Sequence, residues 1–361
     1  MKKLNNRDLI IVLFSSLLVF VGCGSGDYYT VQDYATVQKA DVHVHIRTDR
    51  DVFASQAEKD QFKLVNIVVD GASTWDGIRD QFRFAKMQQQ ARPDQFRTIS
   101  AFSVEDFHTL GWSERSIAWM DSCFQDGAIG IKVWKNIGMV LKDTNGSNVM
   151  LHDARLDPVF DFIVQQDKIL FAHQGEPYNC WLPLAEMTTN NDRNYFTEHP
   201  QYHMYKHPEL PSYQALMDAR DLRMDKHPDL RFVGAHMASI EWNVDTLAAW
   251  LDQYPEATID LAARMGQVFY QAQEDPERVR DFFLKYQDRV MYATDAGDNG
   301  SRDPNDLAQG LHETWLRDWT FFVTDDAMES DLIEGGFQGI KLPKTAVDKI
   351  FYGTGKRVFG F

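Results

Sequence analysis

Eight short apolar runs, separated by segments with helical periodicity, constrain this chain more than any other feature. The runs are Ala40 to Ile46, Val65 to Asp70, Arg97 to Val104, Ala128 to Lys135, Lys168 to Glu176, Leu230 to Met237, Ala257 to Ala263 and Arg289 to Ala296. Most carry polar residues only at their C-terminal ends, as parallel strands do when helices cover one face and a barrel interior the other. Helical spacing fills the intervals at Gly77 to Gln90, Ser113 to Gln125, Pro158 to Asp167, Asn243 to Tyr254 and Pro276 to Tyr286. Strand and helix alternate throughout, so the expected fold is α/β, a TIM (β/α)8 barrel.

Strand starts follow one another mostly at about 25 to 40 residues, the size of a βα unit. One interval is longer. From Glu176 to Leu230 there is room for roughly 30 residues beyond an ordinary connection. Barrel enzymes place their chemistry at the C-terminal strand ends, so this insertion between strands 5 and 6 is expected to overhang the site as a lid. The 361 residues, 44% hydrophobic, suit one barrel domain over 39–361. A formal charge of -16, with no basic patch, argues against nucleic acid as a partner.

The N-terminus is patterned for export. Lys2, Lys3 and Arg7 give a basic start, and Leu9 to Val21 is apolar but too short to span a bilayer. Phe20-Val21-Gly22-Cys23 resembles a bacterial lipobox, with Phe20 in place of the usual leucine. The expectation is a signal peptide over 1–22, a lipid-bearing Cys23 and a tether over 23–38. Such a protein sits in the periplasm or cell envelope and touches membrane only through its anchor. Cys123 and Cys180 would then be the remaining cysteines, too few for a disulfide framework.

Candidate ligands for a metal ion stand at the ends of the apolar runs. Alternate residues of a strand point the same way, so His43 and His45 can grip one cation without backbone distortion. His173, His236 and Asp295 close three later runs. A barrel interior does not favour four histidines and an aspartate at one rim without a cation to satisfy them.

In order and placement this set resembles the amidohydrolase superfamily, and within it the amidohydrolase-related branch that contains the aminocarboxymuconate-semialdehyde decarboxylase type. The resemblance extends to Leu342-Pro343 and Lys349 to Tyr352, while Tyr352 to Gly355 departs from the Asn-Ala usual near that point. It implies a divalent metal, zinc expected, as one or two ions. Lys132 stands where some members carry a lysine carbamate that bridges two cations; Lys135, nearer the loop, is the weaker claimant. In the two-metal reading His43 and His45 hold one ion, His173 and His236 the other, and Asp295 takes a proton from the attacking water. With one metal, His43, His45, His173 and Asp295 are the ligands and His236 is free as general acid or base.

Around that site Arg264 could hold a substrate carboxylate or pair with Asp260 or another acid. Glu176 could orient an imidazole or be a loop acid, and Trp134 and Trp181 could wall the pocket or simply pack. His199, His203 and His207 recur every four residues, but Pro200 and Pro208 oppose a continuous helix there. Gly353 to Lys356 has a phosphate-loop look without the leading glycine or the final Ser or Thr, and reads as a turn ending a helix. The leading expectation is a hydrolase of an amide, ester or lactone in a small organic molecule. The alternative is a lyase that decarboxylates or hydrates a carboxylated substrate, and a surface lipoprotein that binds without chemistry is a third. A homo-oligomer is compatible with each.

Overall fold

The structure, a computed structural model, describes residues 26–361; the signal-peptide and Cys23 expectations lie outside them. Its strands are β1 (Lys39–Ile46), β2 (Phe62–Ile67), β3 (Phe96–Ala101), β4 (Ala128–Val133), β5 (Ile169–Ala172), β6 (Arg231–Gly234), β7 (Thr258–Asp260), β8 (Val290–Met291) and β9 (Ala296–Asp298), followed by a small hairpin, β10 (Ala327–Glu329) and β11 (Gly336–Gln338). The first nine form one parallel sheet in the order β8-β7-β6-β5-β4-β3-β2-β1-β9. The eighth expected run is thus split. Its first half pairs with β7 and its second with β1, and Val42 N donates to Tyr292 O at 3.2 Å, so the sheet curls back on itself.

Helices cover the outside, including Val52–Lys59, Trp75–Ala91, Trp112–Gln125, Asp157–Gln165, Tyr213–Lys226, Val244–Gln253, Pro276–Lys285 and Pro304–Val323. Val44, Ile131, Leu170, Phe232 and Ile259 face this layer. Ala40, Val42, Ile67, Phe171, Val233 and Met291 fill the interior, with Phe359 beneath them. Among the described residues no helix is long and apolar enough to cross a membrane.

A bulge in β1 decides where its polar side chains go. The register with β2 shifts between Asp41 and Val44. Before the shift, Lys39 and Asp41 face outward, toward Tyr34 and Trp315, while Ala40 and Val42 face inward. After it, Val44 and Ile46 are outward and His43 and His45 inward. An extra residue in one strand re-aims the side chains that follow, and here it turns both imidazoles into the interior.

Three expectations change in detail. Residues 27–38 are not a free leash: Val31–Ala35 forms a short helical turn, Tyr34 is buried, and Trp319 Nε1 donates to Thr30 O at 3.2 Å. The aromatic Tyr34 gains enough by burial to dock the segment. The Gly353 to Lys356 stretch is no turn either. A helical run continues through Lys349–Gly353 and Thr354–Phe359, and a Cβ at Gly355 would stand 3.1 Å from Val42 Cγ1, so glycine there permits close packing under β1. The long β5–β6 connection folds into short turns and one helix, Asn190–Glu198, around Cys180, Met187, Phe196 and Met204. Buried Asp192 ties it inward, accepting from Asn179, Thr189 and Gln267. His199, His203 and His207 fall on separate turns, as the prolines require.

Candidate metal centre

The inward row of β1 meets the exits of β4, β5, β6, β7 and β8 at one end of the sheet. One ligand-type atom from each of His43, His236 and Asp295 lies within 4.8 Å of the others. Asp295 Oδ1 is 3.0 Å from His45 Nε2 and 3.3 Å from His43 Nε2. Asp295 keeps 31% of its side chain exposed, against 1% for His43, so the carboxylate faces the open side.

Hydrogen bonds on the far side of each ring fix which nitrogen is free. His43 Nδ1 lies 2.8 Å from Asp260 Oδ2, His45 Nδ1 2.7 Å from Ile67 O and His236 Nδ1 2.8 Å from Ala262 O. Carbonyl and carboxylate oxygens accept only, so each Nδ1 carries the proton and each Nε2 lone pair points inward. Burial holds His43, His173 and His236 well below the ordinary imidazole range, which keeps the rings neutral. Burial alone would raise the Asp295 carboxyl, but positive charge on the facing His43 and His236 rings, when they are protonated, outweighs it and holds the carboxyl well below the usual carboxylate range; with those rings neutral, a cation in the same space would stabilise the carboxylate in the same way. Neutral imidazoles oriented through Nδ1, beside an ionised carboxylate, are a donor set that fits a divalent cation.

His173 is placed differently. Its ring centroid is 4.2 Å from that of His236, but its Nε2 donates to Gly175 O at 3.1 Å, so Nδ1 is the nitrogen left with a lone pair. Lys132 projects from β4 into the same space, its Nζ 3.3 Å from His43 Nε2 and 4.6 Å from the Phe171 ring centre. Burial pushes its pKa down to about 8.

The exits of β6, β7 and β8 share an unusual backbone. His236, Met237, Ala238 and Ser239 have φ of 56°, 55°, 54° and 59°, Ala263 has 53° and Asp295 67°. Each left-handed non-glycine residue costs roughly 1–2 kcal/mol in isolation. Surrounding bonds hold the turn: Asp260 Oδ1 accepts from His236 N at 2.6 Å, and Tyr213 Oη donates to Ser239 O at 2.5 Å. Strain of this kind collects at functional sites.

Asp260 therefore has two tasks, orienting His43 and clamping the turn that carries His236. Sequence reasoning considered it only as a partner for Arg264. Its signal was an acid inside an apolar run. Asp41 is similar: buried, pushed up to about 7 by that burial, it accepts from Thr294 N, Thr294 Oγ1 and Trp315 Nε1 beside Asp295. Arg264 is buried with its Nε 3.8 Å from Glu241 Oε2, so its acid neighbour is Glu241. Glu176 pairs with Lys135, whose Nζ lies 5.4 Å over Trp134, and Trp181 packs edge-on against Tyr213 at 5.5 Å.

Solved structures with the same fold include 2,6-dihydroxybenzoate decarboxylase from Rhizobium, 13% identical over 90% of this chain and 98% of that one, with a TM-score of 0.53. An uncharacterized TIM-barrel protein from Bordetella bronchiseptica is 11% identical over 90% and 99%, also at 0.53. The manganese complex of 5-carboxyvanillate decarboxylase from Novosphingobium aromaticivorans is 13% identical over 91% and 97%, at 0.50. At such identities the likeness is one of fold. No curated protein matches the chain. A family model described as amidohydrolase matches residues 109–361, more than half of the chain, and the protein is therefore an enzyme of the amidohydrolase superfamily.

Proposed function

We propose that this protein is a metal-dependent hydrolase that cleaves an amide, ester or lactone bond in a small organic molecule. The observation that carries the reading is Lys132, whose amine faces His43 Nε2 at 3.3 Å and, among the described residues, has no carboxylate or carbonyl oxygen bonded to it. A buried amine that loses its proton can add carbon dioxide, its nitrogen forming the new N–C bond and leaving a carbamate with two ligand oxygens in place of a cation. His43, His45, His173, His236, Asp295 and the modified Lys132 would then hold one or two ions, zinc in this reading. Such an ion supplies Lewis acidity, polarising the scissile carbonyl and lowering the pKa of water.

The chain's own groups do the rest. Asp295, ionised and facing the open side, accepts the proton of the attacking water and returns it to the leaving group. Asp260 keeps His43 in the tautomer that offers Nε2. Lys135 and Glu176, with Trp134, Trp181 and Arg264, form the walls, and the connection after β5 serves as a lid. The lipobox-like pattern at Cys23 supports export, so the enzyme would act at the cell envelope, tethered by lipid.

A second reading, a one-metal decarboxylase or hydratase, is supported by the tightness of the His43, His236 and Asp295 group and by the engagement of His173 Nε2 with Gly175 O; in it His236 would take the ligand place that the sequence expectation gave to His173. Elemental analysis with carbon-13 NMR after bicarbonate labelling separates the two. Two metals per chain and a carbamate signal lost in Lys132→Ala support the hydrolase; one metal, no carbamate and carbon dioxide release from a carboxylated substrate support the lyase.

A further inference from the structure

Three arginines near the mouth differ in what answers their charge. Arg50 donates to Asp298 Oδ1 and to Arg302 O. Arg264 donates to Ala263 O and has the buried acid Glu241 within ion-pair distance, its Nε 3.8 Å from Glu241 Oε2. All three have a buried Nε without a hydrogen-bond partner, but Arg47 is the exception in the rest of its side chain, which among the described residues makes no hydrogen bond and no ion pair.

Its position gives that vacancy of partners a direction. Arg47 continues the inward row of His43 and His45, two residues further along the chain. Its backbone N donates to Asp298 O at 2.7 Å, which fixes it to the end of β9. Asp295 lies between β8 and β9, so the strand exits on its two sides are those of β7, with Arg264, and β1, with Arg47. Asp295 Oδ1 is the oxygen that faces His45 and His43. The guanidinium lies near enough to the reacting carboxylate to feel its charge without forming an ion pair with it, and its donors are unused among the described residues. A planar fork of N–H donors matches a carboxylate in bidentate fashion, and a buried donor left unmet is costly until a ligand meets it.

We infer that Arg47 is a substrate anchor, and that the substrate carries a carboxylate within reach of the bond that is cleaved. This rests on reading the His43 and Asp295 cluster as the reacting centre. It moves the anion-binding role from Arg264, which has Glu241 within ion-pair distance, to Arg47, which has no ion pair among the described residues.

Calorimetric titration of the purified, metal-analysed protein with benzoate, and with benzamide as its neutral counterpart, tests the assignment. Wild type should prefer benzoate, and Arg47→Gln should weaken benzoate about tenfold or more while leaving benzamide, metal content and melting temperature unchanged. Arg47→Lys should recover part of the loss, and Arg264→Gln should cost less than Arg47→Gln. Equal benzoate binding by wild type and Arg47→Gln, or no saturable benzoate binding by wild type, overturns the anchor. Tighter binding of inorganic phosphate than of benzoate overturns the carboxylate assignment. Failure of the hydrolase reading would instead appear as protein with one metal and no carbamate, without altering the benzoate comparison.

Discussion

Two lysines, Lys39 and Lys132, are almost fully buried, and both have their pKa pushed down by that burial, to about 7 and about 8. Their surroundings differ. Lys39, outward at the start of β1, donates to Tyr34 O at 2.6 Å and Val37 O at 2.7 Å, and sits 4.4 Å from the ring centre of Tyr34 and 5.1 Å from that of Phe62. Its hydrogen bonds are met by the backbone that it pins down. Lys132 has one imidazole lone pair and one aromatic face. Burial and a lowered pKa are common to both, so neither identifies chemistry; what separates them is whether the fold has already used the amine's bonds.

Four measurements test this contrast between a finished floor and an unfinished mouth. The largest effect should come from Asp295→Asn, which removes the proton acceptor at the mouth. Turnover of a chromogenic aryl ester should fall roughly 10²–10⁴-fold with the melting temperature little changed, and a retained rate would break the assignment of the mouth. Next, Lys132→Ala should lower the metal content per chain and the rate together, whereas Lys39→Met should leave both as in wild type. If Lys39→Met loses metal as well, the two lysines are not distinct.

A smaller loss is expected from Asp260→Asn, which leaves the ligands in place but loosens His43 and the His236 turn. Metal affinity, measured by competition with a chelator, should drop about 10–100-fold. The smallest effect concerns the floor alone. Lys39 is charged when unfolded up to its ordinary pKa of 10.5 but in the fold only up to about 7. The unfolded chain therefore binds more protons between those values, and stability rises with pH across that window. Wild type should gain melting temperature relative to Lys39→Met as pH is raised from 7 toward 10, and a difference independent of pH would show that the ammonium is not penalised by burial.

The eight apolar runs were legible because parallel strands in this setting are apolar along most of their length; each run overlaps an observed strand, though the eighth is divided around Asp295. The side chains of His43, His45, His236 and Asp295 do converge, and His173 packs edge-on against His236. Less readable was the inner face of β1. Period-two alternation alone would put Lys39, Asp41, His43 and His45 on one side, and the bulge that separates them is a register property of two strands. Asp260 as the partner of His43, Glu241 as the acid beside Arg264, which the sequence left open, and Arg47 near Asp295 were not readable because each matters through a residue far off in sequence.

By itself the sequence determined the alternation of elements and the chemical types available at the strand ends, since hydrophobic periodicity and side-chain identity are local properties of the chain. Only the tertiary structure decided which imidazole nitrogen carries the proton, which lysine is left with bonds to offer and which arginine makes no ion pair among the described residues. Those depend on what stands across the barrel, and contacts of that kind form between residues whose separation along the chain carries no local signal.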